Sequence, residues 1–470
     1  MPQPNIVFIL IDDMGWRDLG CYGSSFYETP HIDRLAAQGV RFTDAYAACP
    51  VCSPTRASIL TGKYPATVGI TDWIDWGSET HPCRGRLVDV PYRKELPAGE
   101  YTLAHALGAA GYATWHVGKW HLGGPGAAPT DHGFDVNVGG CHWGSPGREG
   151  YFSPWGIPAL KEADVPPGTY LTDYLTDQAI SLIEGGGGRP FFLNLWYYTV
   201  HTPIQAKPET IAKYEAKARR LGLDRIEPMV EGEPFPTEHK RHLRVQRRRL
   251  QSDPVYAAMV EHLDDNVGRL LDALERTGHA QDTILVFFSD NGGLATAEGS
   301  PTCNAPLAEG KGWMYEGGTR EPLLVRWPGV AQPGDLCAEP VTSTDFYPTI
   351  LEMAGLPLLP HQHVDGVSFL PLLRGNTAPE RDAIYWHYPH YGNQGGTPGC
   401  SLRAGDYKLI EFFEDGRLEL YNLREDVSEG RNLAAELPEL TAELHARLVA
   451  WRERVEAQIP QRNPNWGAQP

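Results

Sequence analysis

The sequence predicts an α/β protein with a largely parallel central sheet between helices, followed by a smaller C-terminal α+β subdomain with an antiparallel sheet. Three observations carry this. Apolar runs of strand length alternate with amphipathic segments of helix length. Charged residues follow directly on several of those runs, where the carboxyl ends of parallel strands share one edge. Beyond about residue 375 the pattern changes to short, alternating strands.

In chain order, Ile6–Ile11 is a continuous apolar run and reads as the first buried strand. It is too short to span a membrane, and it lacks the positive flank and small-residue cleavage site of a signal peptide. The expectation is a cytoplasmic chain, or a periplasmic or secreted one if a leader has been removed. Pro30–Gln38 and Thr102–Ala110 carry helical patterns, and Ala113–Val117 is a second strand. Gly185-Gly186-Gly187-Gly188 ends a helix and turns the chain into a strand over Phe191–Tyr198. The polar segment 205–252 reads as an insertion, and its basic run Lys240–Arg249 as a solvated helix face, with a groove for a polyanion as the alternative. A helix over Tyr256–Leu274 leads into strands at Thr283–Ser289 and Pro322–Arg326. The C-terminal subdomain carries strands at Ala383–His387, Tyr407–Glu411 and Leu418–Tyr421, a helix over Pro438–Glu456 and a Pro/Asn-rich tail. The expected division is 1–375 and 376–470.

With 470 residues the chain can bury a large core. Its net charge of −18 argues against a nucleic-acid or anionic-membrane partner. An anionic substrate must then be captured by a local basic pocket. The eight cysteines have no close metal-binding spacing.

Asp12-Asp13 follow the first strand, and Asp290-Asn291-Gly292 follow the Thr283 strand. Brought to one sheet edge, they offer four hard oxygen donors, a set suited to Ca²⁺ or Mg²⁺. Turn or helix-capping aspartates are the plain alternative. Gly118-Lys119-Trp120-His121-Leu122-Gly123 follows the Ala113 strand, and an extended Lys-x-His points both side chains to one face. His201 ends the Phe191 run just before Thr202-Pro203, and Lys311 sits in a glycine-rich loop. Cys52-Ser53-Pro54-Thr55-Arg56 lies ahead of Ala57-Ser58-Ile59-Leu60-Thr61-Gly62. By itself it could be a buried structural thiol beside a helix start.

That stretch resembles the C-x-P-x-R signature of the type I sulfatases, in the alkaline-phosphatase-like superfamily. The resemblance extends from Asn5 to about Ala435, through the Lys119 hexapeptide, the His201 segment, the Lys311 loop and a closing Leu418–Leu433 segment. It implies the alkaline-phosphatase-like α/β fold and conversion of Cys52 to formylglycine (3-oxoalanine) by a formylglycine-generating enzyme. The aldehyde hydrate attacks a sulfate ester with one hydroxyl and expels sulfate with the other. It further implies a metal bound by Asp12, Asp13, Asp290, Asn291 and the converted Cys52. Arg56 would orient the formylglycine hydroxyl, and Lys119 and Lys311 would offset charge on the sulfate oxygens. His201 would protonate the leaving oxygen, and His121 would help remove a proton as sulfate leaves. Some relatives place a serine near the sulfate, and here Gly139–Tyr151 offers Cys141, His142 and Ser145 without a clear equivalent.

The segments 69–76 and 385–391 resemble parts of the carbohydrate-sulfatase branches. With Asp72, Trp73 and His142, and with His387, His390 and Arg403 bonding hydroxyls, they would form an exo-type sugar pocket. Aromatic packing between two domains is the alternative. The expected activity is hydrolysis of a sulfate monoester on a carbohydrate. An aryl sulfatase, or a phosphonate or phosphate monoester hydrolase, is the rival reading, and a non-catalytic glycan-binding relative is a further one.

Overall fold

The computed structural model describes residues 3–75, 83–377 and 380–466. Asn5–Ile11 lies at the centre of the main sheet, parallel to Phe191–Trp196 on one side and Thr283–Ser289 on the other. Ala113–Gly118 and Val136–Val138 extend the sheet in parallel beyond Phe191–Trp196. On the far side Arg320–Arg326 runs antiparallel to Thr283–Ser289, and Val40–Tyr46 antiparallel to it in turn. The expected strand at Pro322 is thus longer than its apolar run and opposite in direction to its neighbour.

The continuous hydrophobicity of Ile6–Ile11 follows from burial on both faces. Val7, Ile9 and Ile11 join a core with the helices Pro30–Ala37, Leu171–Gly185 and Pro254–Arg276. Ile6, Phe8 and Leu10 point the other way, against Cys52–Thr61, Leu103–Ala109 and Phe346–Met353. Among the described residues no helix is long and apolar enough to cross a membrane.

Two readings need correction. The basic run Lys240–Arg249 is no helix face: Arg244–Arg248 is a strand paired antiparallel with Met229–Pro234. Cross-strand charge pairs favour this form, Arg244 with Glu231 at 2.9 Å and Arg247 with Glu233 at 2.7 Å. The C-terminal sheet also has four strands, in the order Ile384–Tyr388, Gly399–Ala404, Tyr407–Phe412 and Leu418–Asn422. The helix Pro438–Arg454 covers one face of it through Leu444, Leu448 and Trp451. The other face packs on the core, where Trp386 meets the Tyr46 ring edge-on and donates from Nε1 to the Ala47 carbonyl at 2.7 Å.

Candidate active site

The parallel strands end on one edge of the sheet, and the charged residues gather there. Asp12 and Asp13 leave the Asn5–Ile11 strand, and Asp290 and Asn291 the adjacent Thr283–Ser289 strand. Lys119 follows Ala113–Gly118 at a tight junction. Gly118 has φ +109°, and a Cβ there would stand 2.0 Å from the Trp196 carbonyl oxygen. Only glycine lets these two strand ends approach so closely. Cys52 and Arg56 come from the first turns of the helix Cys52–Thr61.

All of these side chains are buried. Lys119 Nζ donates to Asp12 Oδ2 at 2.6 Å, and Lys311 Nζ meets both Asp13 oxygens at 2.7 and 2.8 Å. Arg56 grips Asp290 Oδ2 through Nε and Nη2 at 2.8 and 2.7 Å, and donates from Nη1 to the Lys119 carbonyl at 3.0 Å. Asn291 Nδ2 donates to Asp13 Oδ1 at 2.9 Å. Burial pushes the Asp12 carboxyl up to about 8, with Asp290 and Asp13 adding to the rise against Lys119 and Arg56. Burial presses on Asp13 as well, but Lys311, His201 and Lys119 hold it below the usual carboxylate range.

Cys52 Sγ lies 3.3 Å from His121 Nδ1, and His121 Nε2 is 2.7 Å from the Ile74 carbonyl oxygen, which fixes the ring. Gly144 backs that ring, since a Cβ at Gly144 would stand 2.4 Å from it. Burial pushes the Cys52 thiol up, although Lys119 and Lys311 oppose the shift. An unmodified thiol here would be protonated and a weak nucleophile. His201 sits opposite, with Nε2 3.7 Å from Asp13 Oδ2 and Nδ1 2.8 Å from the Thr202 carbonyl oxygen. Burial and the two lysines lower its pKa to about 3, against the pull of Asp13.

The donor set fits a hard divalent cation. Ligand atoms of Asp12, Cys52 and Asp290 lie within 4.8 Å of one another, as do those of Asp12, Asp13 and His201. Asp12 Oδ1 and Asn291 Oδ1 are buried and accept no hydrogen bond. Unpartnered buried oxygens beside three carboxylates are what an oxygen-seeking cation would satisfy.

A cavity of about 360 Å³ opens over this cluster. Trp73 and Ile74 form one wall and His142, Trp143, Gly144 and Ser145 another, while Glu298, Asn393 and Gln394 close the rim. Trp73 and His142 therefore face the cavity. Asp72, His387, His390 and Arg403, expected at a sugar pocket, do not line this cavity. Along Ile384–Tyr388 alternate residues face opposite ways, so Trp386 meets the core and His387 turns outward, its Nε2 2.9 Å from the Gln458 carbonyl oxygen. Asp72 accepts from the Trp73 amide at 2.8 Å and the Tyr388 hydroxyl at 3.0 Å. His390 is fully buried between Asp89 and Thr71. Arg403 pairs with Asp44 at 2.7 Å and with the Tyr46 hydroxyl. Trp76, in the same segment as Trp73, lies outside the described residues. Of the three side chains that Gly139–Tyr151 offered, Ser145 and His142 reach the cavity, while Cys141 turns to the Tyr198 hydroxyl. Sequence reasoning missed Trp143, Glu298, Asn393 and Gln394. Glu298 had a signal, since it lies in the same polar loop as Lys311, but the other three sit in segments without any motif.

A doubly covered sheet whose strand ends collect three acids, three cations and a helix-borne cysteine defines an alkaline-phosphatase-like hydrolase of anionic esters. The comparisons narrow this. The family described as "Sulfatase" matches residues 4–356, and "N-sulphoglucosamine sulphohydrolase, C-terminal" matches residues 309–454. The chain belongs to the sulfatase family, whose members are sulfuric ester hydrolases. It is 32% identical to a sulfatase of Formosa agariphila, over 96% of this chain and 88% of the relative. It is 34% identical to arylsulfatase A of Homo sapiens, over 88% and 75% respectively. The crystal structure of Ps i-CgsB in complex with k-i-k-neocarrahexaose superposes with a TM-score of 0.77 at 28% identity, over 99% of this chain and 95% of that one.

Proposed function

We propose that this sulfatase removes sulfate from the terminal sugar of a sulfated carbohydrate, with Cys52, as formylglycine, supplying the nucleophile. The observation that carries the proposal is the position of Cys52. It stands at a helix start, hydrogen-bonded to His121, beneath a cavity whose floor holds Lys311 and whose far side holds His201. As a thiol, buried and pushed up, it would be idle, whereas an aldehyde hydrate needs only a base and a charge acceptor.

The chain's own residues divide the work. Lys119 and Lys311 offset charge on the sulfate oxygens, and Arg56, pinned by Asp290, holds the nucleophilic oxygen in place. A divalent metal held by Asp12, Asp13, Asp290 and Asn291, Ca²⁺ or Mg²⁺, would supply Lewis-acid polarisation of the sulfate. His201 gives a proton to the leaving oxygen. It is neutral in the free protein because burial, and after it the two lysines, lower its pKa, and a bound sulfate offsets those lysines and raises its affinity for the proton. His121, with Nδ1 on the nucleophile, takes a proton as sulfate is expelled.

The cavity volume lies near the lower end of the range of about 300–1,000 Å³ for small-ligand pockets, which suits one sugar ring. Trp73 and Trp143 offer stacking faces, and Glu298, Asn393 and Gln394 offer polar contacts to hydroxyls. The test is sulfate release from defined sulfated mono- and oligosaccharides, beside a phosphonate monoester of the same alcohol. Faster hydrolysis of the phosphonate, or release from the middle of an intact polysaccharide, would overturn the reading.

A further inference from the structure

On the other side of Gln394 from the catalytic cavity lies a second groove, of about 420 Å³. Gln394 borders the first cavity and Gly395 the second. Trp313 lines the second groove and stands two residues beyond Lys311, which lines the first, with Nε1 donating to Thr296 Oγ1 at 3.0 Å and to the Gln394 carbonyl at 3.2 Å. Three segments far apart in sequence are joined to form the groove. Glu238 N donates to the Arg84 carbonyl at 2.8 Å, tying the 229–248 hairpin to the loop that carries Arg86. Gln461–Arg462 pairs with Leu87–Val88, and Asn463 N donates to the Arg86 carbonyl at 2.8 Å, which brings Trp466 to the wall.

The chemistry of this groove is specific. Phe235, Trp313 and Trp466 supply aromatic surface. Arg86 and Arg241 are exposed on its rim, and neither guanidinium has a hydrogen bond or ion pair among the described residues. Their neighbours differ: Arg244, Arg247 and Arg248 are all committed to carboxylates. The carboxylates at the groove are committed too, Glu233 to Arg247 and Glu414 to the Tyr391 hydroxyl at 2.6 Å. In a chain of net charge −18, two uncommitted cations beside aromatic faces call for an anionic, ring-bearing ligand.

We infer that this groove is a second saccharide subsite, which binds a further sulfated sugar of the same chain whose terminal sugar occupies the catalytic cavity. The inference rests on the sulfated-carbohydrate reading and extends it: the substrate is an oligosaccharide with more than one anionic sugar. Arg86 and Arg241 pair with the second sulfate, and the aromatic walls stack on ring faces.

The test uses the Cys52→Ala protein, which binds without turnover, and its Arg86→Ala/Arg241→Ala derivative. Calorimetry measures affinity for sulfated carrageenan, heparin and chondroitin tetrasaccharides, for their desulfated forms, and for a poly-glutamate peptide. At least one sulfated tetrasaccharide should lose about tenfold in affinity on removal of the two arginines at low ionic strength. Its desulfated form should bind weakly and equally to both proteins. Both side chains are exposed and unpaired, so an unchanged thermal midpoint checks the fold. In proteins with Cys52 intact, kcat/KM for that tetrasaccharide relative to 4-nitrophenyl sulfate should fall by a similar factor. Equal affinities in the two proteins, or an equal loss for poly-glutamate, overturns the saccharide subsite. If the intact enzyme releases sulfate from none of these esters, the sulfatase reading of the site fails instead, and the binding series still decides the groove.

Discussion

At the scale of single residues, the decisive atom is Cys52 Sγ. A buried thiol with a raised pKa is protonated near neutrality, so an active enzyme needs a different group there. Protein made with a competent formylglycine-generating enzyme should carry an aldehyde at Cys52, detected by peptide mass and hydrazide labelling, and Cys52→Ala should lose all activity. Full turnover by protein whose Cys52 is wholly unmodified would contradict this. His201 is separable from the lysines by leaving group. A sugar alkoxide needs a proton in the transition state and a nitrophenolate needs little help. His201→Ala should lower kcat/KM for a sugar sulfate by about 10²–10⁴-fold and for 4-nitrophenyl sulfate far less; equal losses would remove it from the acid role. Asp12, Asp13, Lys119, Asp290 and Asn291 were legible because each follows a strand, and Cys52 and Arg56 because they open a helix; Lys311, in a loop, was legible only through the resemblance of its segment. The placement of His387 was not legible, since a strand histidine reads alike whether it faces a ligand or a neighbouring backbone, and only the pleat of Ile384–Tyr388 against the core decides which. His390 lies beyond that strand and Arg403 on Gly399–Ala404, where the buried carboxylates of Asp89 and Asp44 hold them.

Elements are held in register by contacts that no hydropathy pattern reveals. Asp264, midway along Pro254–Arg276, accepts from the His31 and Ile32 amides at 3.1 and 2.7 Å and so caps Pro30–Ala37 from another helix. Asp264→Ala leaves those amides unpaired, with an expected loss of about 1–2 kcal/mol by denaturant unfolding. Asp264→Asn keeps an acceptor oxygen and should lose less; an Ala variant as stable as the parent would show that the cap contributes nothing. The parallel strands could be read from sequence because double burial makes them continuously apolar. Arg244–Arg248 could not, because its stability comes from carboxylates on a partner strand. Gly399–Ala404 escaped for a related reason: Ser401 and Arg403 share the face that meets the core, so a polar residue stands where the pattern calls for an apolar one.

At the scale of the whole molecule, two buried charge clusters among the described residues have the same balance and different consequences. Where the C-terminal sheet meets the core, Asp44, Glu316 and Glu429 face Arg320, Arg403 and Lys408. Burial would raise Glu316, yet Lys408, Arg320 and Arg403 hold it at about 2. Lys408→Met would leave two buried carboxylates without their shared cation, at a cost of about 3–5 kcal/mol measured by denaturant unfolding; a loss under 1 kcal/mol would mean that the cluster is not a clamp. At the catalytic edge, Asp12, Asp13 and Asp290 likewise face Arg56, Lys119 and Lys311.

The catalytic cluster differs in one respect, because Asp12 Oδ1 and Asn291 Oδ1 remain without donors and Asp12 is driven towards protonation. A divalent cation would supply what those oxygens lack and remove the reason for Asp12 to hold a proton. It would also turn a balanced cluster into one with net positive charge, the local field that an acidic protein needs to capture a sulfate ester. Chelation should therefore abolish activity and lower the thermal midpoint together. The stability lost is about 2.7 kcal/mol if the metal had been present at a hundredfold excess over its dissociation constant. Ca²⁺ or Mg²⁺ should restore both properties, and Asp12→Asn should weaken the restoration. Full activity in protein shown by elemental analysis to be free of divalent metal would mean that the three protein cations suffice for sulfate, and that the two lone oxygens serve some other ligand.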